Sequence, residues 1–183
     1  MQIQDVLFPL RDGRTALLRS PREEDVPGTL QYLVQSAGET EFIVRYPEEC
    51  GKHTPEGEKA LFARKNASPT EAMLVCLVDG KVAGTCEIQF YTSIKTRHRA
   101  VVAIALLREF WGLGIGTRMF QELIAFAAAR PQVTQMELQF VEGNDRARHL
   151  YEKMGFRIAG IHPNAFRLKD GSFRNEYLMI RSM

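Results

Sequence analysis

The stretch REFWGLGIGTRMF, residues 108–120, sets Gly112, Gly114 and Gly116 on alternate positions between an apolar run and a helical pattern. A strand that enters a turn ahead of a helix leaves several N–H groups unpaired at the helix N-terminus, aimed with the positive end of the helix dipole. Glycine lets an anion reach the main chain and adopts backbone conformations that other residues resist. The spacing suits a phosphate cradle, and it suits equally a tight turn that only brings helix and strand close. Glycine spacing alone does not choose between them. A P-loop is excluded, because no Lys follows at the GxxxxGK[ST] position. A dinucleotide fingerprint opens a parallel βαβ unit with an acid ~20 residues on; here a hairpin precedes the glycines, although Glu137 lies about 21 residues past Gly116.

Other residues carry chemistry of their own. Tyr151, in NDRARHLYEKMG, is a phenol with a reference pKa near ~10, protonated at neutral pH and able to donate a proton. It is equally the aromatic member of the Ala147, Leu150, Met154 face of a helix. Asn144 caps that helix or contacts a ligand. Arg148, one turn on, reaches a phosphate or stays solvated. Glu87 sits in TCEIQF, an acid inside an apolar strand, on the face of Thr85 rather than Cys86. Burial there would raise its pKa and make it a better base, whereas an exposed strand carboxylate is the plainer reading. Glu137 is the second acid on a central strand.

The elements that must hold these groups follow from pattern. TALLRS (15–20) reads as a strand after the Asp12-Gly13 turn, and PREEDVPGTLQYLVQSA opens as a helix, with Pro21 and acids at its start. Residues 38–69 read as a loop plus a short helix capped by Thr54. AMLVCLVDGKVAGTCEIQFY is a hairpin turning at Asp79-Gly80. RAVVAIALL reads as a strand buried on both sides, from its uninterrupted apolarity. Gly114 to Arg130 is a helix, ended by Arg130-Pro131. QMELQFV is a strand, NDRARHLYEKMG a helix closed by Gly155, and FRIAGI and NEYLMIR are final strands around an Asp170-Gly171 turn. This order gives a mixed α/β fold, a central sheet with helices on its faces.

Composition narrows the classes. At 183 residues and 45% hydrophobic, the chain fits one domain spanning 1–183. Twenty-four basic against 22 acidic residues leave a charge of +2, too balanced for a nucleic-acid backbone partner. Cys50, Cys76 and Cys86 form no CxxC pair, and no His/Cys cluster has zinc spacing, so neither metal nor disulfide is expected. A two-residue turn at Asp79-Gly80 would put Cys76 and Cys86 on opposite faces of the hairpin. MQIQDVLFPLRDGR has no leader pattern, and the apolar run AVVAIALL is far below the ~18 residues of a membrane span. A cytoplasmic protein without a membrane partner is expected. The basic KTRHR (95–99) reads as a solvated tip or an anion attractor.

IALLREFWGLGIGTRMFQELIAFA, followed one strand later by NDRARHLYEKMGFRIAG, resembles the two signature segments of the GCN5-related N-acetyltransferases, in order and spacing. The resemblance covers residues 72–160 most firmly. It implies a mostly antiparallel sheet of six to seven strands with about four helices, and transfer of the acetyl group of acetyl-CoA to a primary amine by direct attack, without metal. It implies that backbone amides of Trp111, Gly112, Leu113, Gly114, Ile115, Gly116 and Thr117 hold the cofactor's pyrophosphate. Trp111 departs from the family, which has Gln or Arg there. Leu106 and Leu107 fall where the family splays its strands and binds the pantetheine arm through main-chain groups. Tyr151 falls at the proton donor, Asn144 and Arg148 near the cofactor, and Glu87 is the candidate base beside a water relay to another carboxylate. GETEFIVRYPEEC (38–50) matches the acceptor-side loop, where Glu39, Glu41, Glu48 and Glu49 would attract a cationic amine or simply form an acidic surface. Protein N-termini, lysines, polyamines, amino acids and antibiotics stay open as acceptors. A silent acetyl-CoA sensor is the competing reading, and the last two strands could pair across a homodimer.

Overall fold

The computed structural model describes residues 1–183. Eight strands form one sheet: β1 (Val6–Pro9), β2 (Thr15–Arg19), β3 (Glu71–Val78), β4 (Lys81–Phe90), β5 (Arg99–Leu106), β6 (Gln135–Val141), β7 (Arg157–Arg167) and β8 (Phe173–Ser182). Their spatial order is β1-β2-β3-β4-β5-β6-β8-β7, and every neighbouring pair is antiparallel except β5 and β6. The helices are α1 (Val26–Glu39), α2 (Pro55–Ala67), α3 (Ile115–Ala128) and α4 (Asp145–Lys153).

The expected mixed α/β architecture is present, with one strand more than expected. β1 was not foreseen: four residues ending in Pro9 carry too little alternation to announce a strand, and Pro is tolerated because β1 is an edge. The final hairpin is also longer than its apolar pattern. Pro163 and Asn164, the latter at φ 53°, sit inside edge strand β7 where its pairing with β8 is irregular between His162 and Phe166.

The β3–β4 hairpin departs from its expected register. Leu77 pairs with Val82, but Cys76 pairs with Gly84 and Leu74 with Cys86, so Ala83 is the extra residue of a bulge. The bulge reverses the side assignment beyond it. Cys76 and Cys86 therefore share one face, both buried and free rather than on opposite sides. Burial raises both thiols, Cys76 to about 12 and Cys86 well above its ordinary value. The bulge also turns the Ala83 carbonyl to the Leu107 N–H, 2.9 Å away, and leaves Gly84 opposite Leu106. A Cβ on Gly84 would lie 2.4 Å from the Ala105 carbonyl oxygen, so only glycine allows this approach.

α1 and α2 cover the face that carries Thr85 and Glu87: the Tyr32 hydroxyl lies 3.3 Å from the Thr85 hydroxyl, and Lys65 lies 2.8 Å from Glu87. α3 and α4 cover the other face, where Phe120, Met119 and Leu123 of α3 pack with Ile88, Val102, Met136 and Phe140 of the sheet. Entry into α1 is fixed by a buried ion pair. Arg19 at the end of β2 grips Asp25 with two bonds of 2.6 and 2.9 Å, both side chains almost fully inaccessible.

β5 and β6 pair only from Arg99↔Gln135 to Val101↔Glu137. Beyond Val101 the two strands diverge, and the wedge between them opens at the C-terminal end of β5. This explains why β5 is not buried on both sides. Its apolar residues from Ala103 to Leu106 are exposed or half-buried because they wall an opening.

Candidate functional site

The wedge leads into a cavity of about 540 Å³, within the range of small-molecule sites. Its walls come from both strands of the wedge, the turn and first helical turn at 111–117, the inner face of α4, and the loop after α1.

At one mouth lies the glycine turn. Gly112 and Gly114 have φ of 80° and 98°, the left-handed region that disfavours a side chain. The Trp111 N–H is bonded to the Arg108 carbonyl (3.1 Å) and the Arg118 N–H to the Gly114 carbonyl (3.1 Å). Between them the N–H groups of residues 112–117 have no acceptor within the protein. Six successive free donors at the N-terminus of a fourteen-residue helix fit an anion. The Trp111 amide, expected in the cradle, is occupied by Arg108. Its indole N–H is committed too, donating to the Leu106 carbonyl at 3.0 Å.

Two cations flank the turn, and neither has a carboxylate partner. Arg146 lies 4.9 Å above the Trp111 ring, and its guanidinium would be 3.5 Å from a Cβ on Gly112. Arg11, from the β1–β2 turn, donates to the Gly112 carbonyl at 3.3 Å and also lines the cavity. The expected Arg148 points elsewhere: it pairs with Glu152 at 2.8 Å, because on a helix a residue two positions past Arg146 lies some 200° around. Arg146, adjacent to the Ala147 and Leu150 face, was the legible alternative; nothing in the sequence marks Arg11.

Inside the wedge sits Tyr151. Its ring is held edge-on by Phe120 and Phe140 at 5.5 and 5.8 Å. Burial alone pushes its pKa up to about 12. Asn144 caps α4, accepting from the Ala147 N–H at 3.3 Å, and also lines the cavity. Leu106, Gly114, Ile115, Gly116 and Thr117 line it as well, and Leu113 lies partly buried in the same turn. Leu107 does not: its side chain is fully buried and its N–H is used by Ala83.

Glu87 is outside the cavity. Its carboxylate is half-exposed and bound to Lys65, so the burial that would have made it a base is absent. Glu137 is buried but accepts two bonds of 2.7 and 2.8 Å from Arg99. Nothing in the sequence marks Tyr32. It lies beneath the wall of the wedge, donating to the Ala105 carbonyl at 3.1 Å, and burial raises its pKa.

Residues 39–156, more than half of the chain, match the model of the acetyltransferase (GNAT) family. The chain belongs to that family. Among solved structures, a GNAT-family acetyltransferase from Streptococcus pneumoniae is 25% identical, with a TM-score of 0.84 over 92% of this chain and 99% of that one. A ribosomal-protein-alanine N-acetyltransferase from Brucella melitensis shares the fold at 22% identity, TM-score 0.77, covering 91% and 99%. A ribosomal L7/L12 α-N-protein acetyltransferase in complex with coenzyme A shares it at 17% identity, TM-score 0.76, covering 97% and 98%. The GNAT chain is thus an acetyltransferase, and none of its helices is long and apolar enough to cross a membrane.

Proposed function

We propose that residues 1–183 act as one acetyl-CoA-dependent N-acetyltransferase domain that moves the acetyl group to an amine by direct attack. The observation that carries this reading is the run of six free amides, 112–117, at the mouth of a wedge whose interior holds the buried phenol of Tyr151. When bound, acetyl-CoA supplies an activated thioester. The amides of 112–117 hold its pyrophosphate, with Arg11 and Arg146 adding the positive charge that the loop's own Trp111 lacks. The main chain at Leu106 lines the pantetheine path, and Asn144 keeps α4 in place beside it.

The proton balance of the transfer is simple. A neutral amine attacks the carbonyl carbon, a C–N bond forms and the C–S bond breaks. Tyr151 gives its proton to the departing sulfur, and the proton lost from nitrogen restores the phenol through solvent. No cysteine is needed as a carrier: the buried thiols at 76 and 86 are raised far from the thiolate form and lie outside the cavity.

A melting scan tests the reading. Acetyl-CoA at 100 times its Kd adds about 2.7 kcal/mol, a shift of about 5–10 °C for a chain of this size. NAD leaves the melting temperature unchanged. Gly114→Val, which forces a branched side chain to φ 98° beside the free amides, removes most of the acetyl-CoA shift. An unchanged shift in that variant, or none in the parent protein, overturns the cradle.

A further inference from the structure

Part of the cavity wall belongs neither to the glycine turn nor to α4. It is formed by Thr40, Phe42 and Ile43 from the loop after α1, Ala103 and Ala105 of β5, and Gln139 of β6. None of these side chains ionises. Ala103 and Ala105 share a face with Glu87 and Thr85 through the β4–β5 pairing, and Gln139 shares it two residues after Glu137. The Phe42 ring reaches across to the β6–α4 turn, where a Cβ on Gly143 would lie 3.6 Å from it. The wall is uncharged and mostly apolar, with Thr40 and Gln139 as its only polar side chains.

The acids expected to draw a cation are engaged elsewhere. Glu39 accepts from the Arg108 N–H at 2.6 Å, Glu48 pairs with Lys169, and Glu49 accepts from the Tyr46 N–H at 2.8 Å. Only Glu41 of that loop is without such a partner, and it is exposed outside the cavity. The strand acids Glu87 and Glu137 are bound to Lys65 and Arg99. The cavity lining contains no Asp or Glu, whereas it does contain Arg11, Arg146, His149 and Lys153.

We infer that the acceptor is a weakly basic amine attached to an apolar group, the α-amine of an apolar amino-acid residue, and not a lysine side chain or a polyamine. The inference rests on the acetyl-transfer reading. Once the amine enters neutral, attack and C–S cleavage exchange protons without net uptake or release, so a base is required only to strip an ammonium. An α-amine has a reference pKa of ~7.7–8.0 and is about one-third neutral at pH 7.5, whereas a lysine amine near ~10.4 is neutral in roughly one molecule per thousand. With no carboxylate lining the cavity, and with its one histidine, His149, carried by α4 and not by this wall, that difference, on the order of 10²-fold, is left uncorrected. It also offers no partner for the second and third charges of a polyamine, while Phe42 and Ile43 offer surface to an apolar side chain.

The test measures CoA release at pH 7.5 from acetyl-CoA with L-phenylalaninamide, Nα-acetyl-lysinamide and spermidine, alongside the acetyl-CoA melting shift of the same preparation. The expected result is a kcat/KM for phenylalaninamide about 100-fold or more above the other two, with a pH dependence that levels off near that amine's own pKa. Phe42→Ala raises the KM for phenylalaninamide at least several-fold and leaves the KM for acetyl-CoA unchanged. Equal or faster release with spermidine or the lysine amine overturns the acceptor assignment, as does acetyl-CoA binding with no release from any of the three; acetyl transfer as such survives the first of these. Absence of both the melting shift and CoA release overturns acetyl transfer itself.

Discussion

Tyr151→Phe lowers turnover by about 10²- to 10⁴-fold, the range for loss of a positioned proton donor, and leaves the acetyl-CoA melting shift in place. The two readouts separate because the substitution removes one oxygen and nothing else. The ring stays between Phe120 and Phe140, whose edge contacts do not involve the hydroxyl. Desolvation alone shifts this phenol, so no charged partner is left stranded when the oxygen goes. The free protein should therefore melt within a degree or two of the parent. Because the folded-state pKa is pushed up to about 12, the donor stays protonated through the neutral and mildly alkaline range. A pH–rate profile of the parent should show no falling limb from Tyr151 below about pH 10, only the rise from deprotonation of the acceptor amine. A protein that merely sensed acetyl-CoA would be indifferent to the change. Turnover within a few-fold of the parent would remove Tyr151 from the chemistry.

The parts of this site that could be read from sequence are those built on local periodicity. Three glycines after an apolar run and before a helical pattern announce the turn, and the helix face of Ala147, Leu150 and Tyr151 is visible at its i, i+3, i+4 spacing. The wedge is different in kind. It arises where β5 and β6 stop pairing after Val101↔Glu137, a divergence of two backbones that are 36 residues apart in sequence at that point (137 − 101 = 36). An unbroken apolar run fits a cavity wall as well as a buried strand, so the pattern of Ala103 to Leu106 does not distinguish the two. Ala83 as a bulge residue moved Cys76 and Cys86 onto one face, because a single extra residue inverts a period-2 pattern. Charge pairing is hidden from sequence for a related reason. Glu87 stands on the expected face of its strand, yet whether a carboxylate is free depends on what the opposite helix presents, and α2 presents Lys65. Arg11 reaches the Gly112 carbonyl across 101 residues of chain, a distance over which no spacing rule operates.

Asp25→Ala lowers stability by about 3–5 kcal/mol, as removal of one partner from a buried ion pair does, and so lowers Tm by about 6–20 °C at this chain length. Arg19 is 3% exposed, and Asp25 takes both of its terminal nitrogens while also accepting from the Arg22 N–H at 2.7 Å. Alanine would leave a guanidinium in a site with one remaining acid, Glu24, at 3.3 Å and mostly exposed. That contact tempers the loss without replacing a bidentate grip, since an exposed pair contributes at most ~1 kcal/mol. The double variant Arg19→Met, Asp25→Leu recovers most of the stability, because it removes the charge along with its partner. The single variant also reaches the site. Asp25 sets the entry to α1, and α1 carries Tyr32 under the Ala105 carbonyl and leads directly into Thr40, Phe42 and Ile43. Below its melting transition, Asp25→Ala should therefore raise the KM for the amine more than the KM for acetyl-CoA, whose proposed contacts lie on α3, α4 and the β1–β2 turn. A fall in Tm under 2 °C, or equal changes in the two KM values, would show that α1 is held by its apolar packing and not by this pair.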